Sequence, residues 1–140
     1  MRYYESTSRI DADPDVVWGV LADGAGWSSW HSGVADVEGR IAPGETVRIR
    51  SEAAPGRTFP VRVTEFEAPR RLVFSGGMPL GLFRGVRTYS LAPDANGTVF
   101  SMREEYTGPL LGLIWRSMPD LQGSFDQFAA GLKRRVESGA

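Results

Sequence analysis

The chain has 140 residues, a formal net charge of −1, 41% hydrophobic and 24% charged residues and no cysteine. These values suit one soluble globular domain over residues 1–140, burying roughly two-thirds of the surface its unfolded form exposes. They give no field to gather nucleic acid or an anionic membrane, and they exclude disulfides, thiolate metal sites and a cysteine nucleophile.

In chain order, Arg2 to Ile10 places Tyr3, Tyr4 and Ile10 among Thr and Ser and predicts a first strand. Asp13-Pro14 predicts a helix start, with the aspartate accepting from free backbone N–H groups and the proline at a position that needs no donor. Val17, Val20 and Leu21 give that helix a buried stripe, with Trp18 beside it, and Asp23-Gly24 ends it. Gly26 to His31 predicts a short tryptophan-bearing turn or helix. The opening residues Met1 to Glu5 lack the apolar core of a secretion signal, and no stretch reaches the roughly 18 apolar residues of a membrane helix. The expected setting is therefore the cytoplasm, without stable membrane insertion, as a monomer or homodimer.

Six further strands are predicted, at Val34 to Gly39, Glu45 to Ser51, Thr58 to Phe66, Arg71 to Ser75, Phe83 to Leu91 and Thr98 to Tyr106. The breaks between them carry turn chemistry, with Ala42-Pro43-Gly44, Ala54-Pro55-Gly56, Ala68-Pro69 and the hairpin signal Asp94-Ala95-Asn96-Gly97. Short turns between successive strands argue for antiparallel pairing. The connection Gly76 to Phe83 is glycine-rich yet carries Met78, Leu80, Leu82 and Phe83. It either folds over the end of the sheet or forms an apolar rim around an opening, with Leu110 to Leu113 as the facing rim.

Pro109 to Val136 predicts one long helix, because Leu110, Ile114, Met118, Leu121, Phe125, Phe128, Leu132 and Val136 recur at steps of three or four. Pro119 predicts a kink between Trp115 and Pro119, or else starts a second helix, making a short helix, a break and a longer one.

Little in the chain points to a reaction. The lone histidine, His31, has no carboxylate at metal-ligand spacing, no Gly-x-Ser-x-Gly elbow frames a serine, and no glycine run has the form of a phosphate loop. No metal, no cofactor and no catalytic residue is assigned. Glu104 and Glu105 are neighbours on a strand, so only one looks inward. Arg87 and Tyr89 share a face, and an inward arginine demands a carboxylate partner or an anionic ligand group. Arg48, Arg50 and Arg62 are expected on the solvated outer face, pairing with residues such as Glu65 or Glu105. The aromatic and methionine set suits an apolar ligand with one or two polar handles. The candidate ligand-binding residues are Trp27, Trp30, Phe74, Met78, Phe83, Arg87, Tyr89, Met102, Glu104, Leu121 and Phe125.

Taken in order, the first strand, the helix from Asp11-Ala12-Asp13-Pro14 to Val17-Trp18, the Trp27-x-x-Trp30 turn, the antiparallel strands, Asn96-Gly97-Thr98, Tyr106-Thr107-Gly108-Pro109 and the long final helix resemble the SRPBCC superfamily. The likeness is strongest to its polyketide cyclase/dehydrase and lipid-transport branch. The resemblance implies an α+β helix-grip fold: a curved antiparallel sheet of about seven strands around a C-terminal helix, two short helices after strand 1, and a hydrophobic cavity. In the aromatase/cyclases of that superfamily a tryptophan in the short turn, a following tyrosine and a sheet arginine line the pocket. Trp27 takes the first place, whereas Val34 and Phe66 fall where the tyrosine and arginine would be. Those departures favour binding of a small hydrophobic or amphipathic molecule. The alternative is a polyketide cyclase, aromatase or dehydratase-type enzyme acting on a ligand in the same cavity.

Overall fold

A computed structural model describes residues 1–139. All seven predicted strands form, each within a few residues of its expected bounds: β1 (Arg2–Ile10), β2 (Val34–Glu38), β3 (Thr46–Ser51), β4 (Phe59–Glu67), β5 (Arg71–Gly77), β6 (Arg84–Asp94) and β7 (Gly97–Thr107). They make one antiparallel sheet in the order β1-β7-β6-β5-β4-β3-β2. Among the described residues only the β1–β7 pairing is distant in sequence. The remaining strands follow as hairpins, the tightest being β6–β7, where Asp94 faces Gly97 across the turn Ala95-Asn96.

Between β1 and β2 lie α1 (Pro14–Leu21) and a 3₁₀ turn (Gly24–Ser29). Val17, Trp18 and Leu21 bury the inner stripe of α1, and Val20 is half-buried at its edge. The expected side-chain cap by Asp13 is not made; its carbonyl instead accepts from Val16 and Val17 N–H.

The C-terminal run is two helices, α2 (Leu111–Ser117) and α3 (Gln122–Glu137), not one kinked helix. Proline crowds the residue before it out of the helical region. Met118 accordingly turns extended, with ψ 138°, so the chain leaves the helix before Pro119 is reached. Pro119 does not begin the second helix either: α3 starts at Gln122, whose N–H is accepted by Asp120 Oδ1 at 2.9 Å. The apolar stripe survives the break. Phe125, Phe128, Leu132 and Val136 are buried, while Leu110, Ile114, Met118 and Leu121 are half-buried.

The curled sheet grips α3, and a cluster of buried aromatic residues lies where α1, the 3₁₀ turn and α3 converge. Phe128 is its hub, with ring centroids 4.9 Å from Trp27, 5.1 Å from Trp30 and 5.6 Å from Tyr89. Each such side chain, fully buried, contributes about 1.5–3 kcal/mol. Trp27 is wholly enclosed, its indole N–H donating to Leu21 O at 3.0 Å.

The outer face is charged. Arg48, Arg50 and Arg62 are exposed there, but the expected pairing with Glu65 or Glu105 does not occur. Arg50 meets Asp36 at 2.5 Å and Glu38 at 3.6 Å on β2, because Asp36 is its registered neighbour. Glu65 is taken by Arg71 and Glu105 by Arg103. Among the described residues no helix is long and apolar enough to cross a membrane.

Candidate functional site

Period-two alternation along β5, β6 and β7 sets three registered rows on the inner face of the sheet. Leu72, Tyr89 and Met102 form the first row, Phe74, Arg87 and Glu104 the second, and Gly76, Gly85 and Tyr106 the third. Passing along these rows toward α2, the inward side chains shrink to two glycines paired with one another. Over the same end of the sheet the α2–α3 break removes continuous helix. A cavity of about 620 Å³ opens between them.

Its walls are largely apolar. Phe74, Met102 and Gly76 come from the sheet, Val34, Ile49, Phe59 and Val61 from β2 to β4, and Ile114, Met118, Leu121, Phe125 and Phe128 from the two helices. Met78 and Phe83 close one side, so the glycine-rich connection forms a rim. Leu80, at its tip, is 96% exposed and covers nothing. The facing segment is tied to that rim by backbone, Leu110 N–H donating to Leu82 O at 3.0 Å. This approach is close enough to require glycine at position 108, where φ is +117° and a Cβ would lie 2.5 Å from Leu82 O.

Several polar side chains interrupt the apolar wall, among them Ser32, Ser51, Ser117, Ser124 and the exposed Arg57, and one ion pair, Arg87–Glu104, is set into it. Arg87 Nε donates to Glu104 Oε1 at 3.0 Å, across strands, and the Arg87 guanidinium carbon lies 4.6 Å from the Phe125 ring centroid. The two side chains keep 24% and 17% of their surface, and both line the cavity. Burial is the largest single influence and works against the Arg87 charge, but the Glu104 carboxylate together with the neighbouring Tyr89 and Tyr106 outweighs it and holds the guanidinium above its ordinary value. The hydroxyls of Tyr89 and Tyr106 are buried without a hydrogen-bond partner among the described residues. Burial raises the Tyr106 phenol well above its ordinary value, with the neighbouring Glu104 charge adding to the effect, and burial likewise raises Tyr89. Both therefore stay protonated at neutral pH.

Of the sequence-predicted residues, Phe74, Met78, Phe83, Arg87, Met102, Glu104, Leu121 and Phe125 line the cavity. Trp27, Trp30 and Tyr89 do not: they pack around Phe128 in the solid end of the core. Phe66 also lies away from the cavity, edge-on to Trp18, whereas Val34 is in the wall. His31 is exposed, outside the lining, with φ 55°. Tyr106, Gly76 and Gly85 were not among the expected residues, although their spacing of two from Glu104, Phe74 and Arg87 puts them on the same face. Among the described residues no three His, Asp or Glu side chains converge to hold a metal ion.

A curled sheet, a C-terminal helix and a cavity between them define a helix-grip protein of the SRPBCC superfamily. Residues 1–137 match the family model for polyketide cyclase/dehydrase and lipid transport, and the chain belongs to that family. Among solved structures it is similar to the Zhui aromatase/cyclase from a Streptomyces species, with TM-score 0.74 and 17% identity over 97% of this chain and 93% of that one. It is similar to a START superfamily protein from Mycobacterium smegmatis, with TM-score 0.70 and 16% identity over 99% of each chain. It also resembles DynU16, from the dynemicin biosynthetic locus, with TM-score 0.73 and 19% identity over 98% of this chain; here it spans about half of the longer protein, 48%. At these identities the likeness is one of fold. A search of curated proteins found no match.

Proposed function

We propose that the protein binds a small hydrophobic or amphipathic molecule in this cavity, its apolar body against Phe74, Met78, Phe83, Met102, Leu121 and Phe125 and its polar end at Arg87 and Glu104. The observation that carries this reading is an ion pair set into the apolar wall of a 620 Å³ hollow. A buried ion pair is seldom better for stability than well-packed apolar residues of the same volume. Its presence at this spot therefore supports a role toward a guest molecule. Burial of about 200 Å² of apolar guest surface would supply roughly 5 kcal/mol of driving force at about 25 cal/mol per Å². A cytoplasmic monomer or homodimer is the setting this reading carries.

Native mass spectrometry and solvent extraction of freshly purified protein are expected to reveal a co-purifying ligand. Protein that is consistently empty, and that also fails to take up hydrophobic probes, would overturn the proposal.

A second reading, a cyclase or dehydratase-type enzyme, draws on the Glu104 carboxylate in the cavity wall, a group able to move a proton on a bound ligand. It predicts that Glu104→Gln abolishes turnover of a bound polyketide-like chain while retaining its binding. A carrier shows no turnover to lose.

A further inference from the structure

The Arg87–Glu104 pair neutralises itself. The guanidinium meets a carboxylate at 3.0 Å on one side and the π face of Phe125 at 4.6 Å on another, so its charge is satisfied before any ligand arrives. Its hydrogen-bonding capacity is not. A guanidinium carries five N–H donors and a carboxylate two acceptor oxygens, and this contact uses one of each. The open side of the carboxylate lies over bare strand, since a Cβ at Gly85 would stand 3.5 Å from Glu104 Oε2. Tyr106, in the cavity lining and 3% exposed, adds a hydroxyl without a partner among the described residues.

Resting on the cavity reading above, we propose that the cavity selects ligands whose polar end is uncharged, a hydroxyl or a ketone or amide carbonyl, and discriminates against carboxylates and ammonium ions. A ligand carboxylate close enough to touch Arg87 lies within a few ångströms of Glu104. Attraction and repulsion at similar distances in the same medium nearly cancel. The hydration lost by the incoming ion is then uncompensated. An ammonium ion meets the mirror-image problem, attracted by Glu104 and repelled by Arg87. An uncharged group gives up far less hydration. It can accept from Arg87, and a hydroxyl or an amide N–H can also donate to the free carboxylate oxygen, each a charge-assisted bond. The volume bounds the guest as well. At about 30 Å³ per water-sized atom group, 620 Å³ holds about twenty non-hydrogen atoms.

Titration calorimetry on the full chain at neutral pH, with dodecanol, dodecanoate and dodecylammonium and with a matched naphthol and naphthoate, tests this. The alcohols are expected to bind at least tenfold tighter than the ions of the same skeleton. Glu104→Gln keeps an acceptor for Arg87 and removes the balancing charge, so it is expected to move the preference at least tenfold toward the carboxylates. The wild-type comparison decides the matter even where that variant does not fold. Wild-type protein that binds a carboxylate as tightly as its alcohol overturns the inference and leaves the cavity reading standing. Protein that binds none of the probes overturns both.

Discussion

The two ends of the inner sheet face are built on the same strands and under the same C-terminal segment, yet one is solid and the other hollow. At the solid end the inward positions carry Leu72, Tyr89, Leu91 and Phe100, and an unbroken helix lays Phe128 and Leu132 against them. At the hollow end two of the three registered inward positions are glycines, Gly76 and Gly85, beside Tyr106, and the helix is interrupted from Met118 to Leu121. Strand pairing runs through both ends without change of partner. Backbone architecture therefore does not make the cavity. Side-chain size in two registered positions and one proline do, and the fold's stability and its capacity for a guest are encoded at different places.

This separation predicts mutational effects of different kinds. The largest belongs to the solid end: Trp27→Ala removes a fully enclosed ring and the donor to Leu21 O, and is expected to cost about 3–5 kcal/mol in chemical unfolding. A loss below about 1 kcal/mol would show that the two ends are not energetically distinct. At the hollow end Gly85→Leu should do the reverse. A Cβ there makes only ordinary contacts, 3.4 Å from Tyr106 and 3.5 Å from Glu104, so stability should stay within about 1 kcal/mol while ligand uptake weakens more than tenfold. Unchanged uptake would place binding elsewhere. The break itself is tested by Asp120→Ala, which deprives Gln122 N–H of its acceptor and should cost about 1 kcal/mol. The smallest effect concerns Glu137, where hydrogen bonds from Lys133 and from the Asp11 N–H hold the carboxyl below its ordinary value of 4.5. Its stabilisation is complete above 4.5 and is lost as pH falls through the lower folded-state value. Glu137→Gln should therefore flatten the acid limb of a stability-against-pH curve and leave ligand binding unchanged.

Strand positions were legible because β-branched and aromatic alternation, with proline and glycine turns, is a local signal. That only one of Glu104 and Glu105 looks inward, and that Arg87 and Tyr89 share a face, followed from the same period of two. Which end of the sheet an aromatic residue occupies is not local. Trp27, Trp30 and Tyr89 read the same as Phe74 and Phe125 in the sequence, and only the docking of α1 and the 3₁₀ turn against α3 sends the first three into solid core. The break at Pro119 was readable in part: proline's own effect suggests a kink, whereas its effect on the preceding residue, Met118, is what ends the helix. Gly76 reads as the start of a glycine-rich connection, and Gly85 as nothing in particular, because a missing side chain carries no hydrophobic signal; their importance lies in facing each other across two strands.

The long-range pairing of β1 bears on how the chain is made. Arg2 lies opposite Tyr106, and the Asp11 N–H is held by Glu137, 126 positions onward. During synthesis the first strand must wait, unpaired along its hydrogen-bonding edge, until β7 has left the ribosome. Closure of the sheet at β1 then depends on a distant encounter, a slower step than the pairing of the neighbouring hairpins.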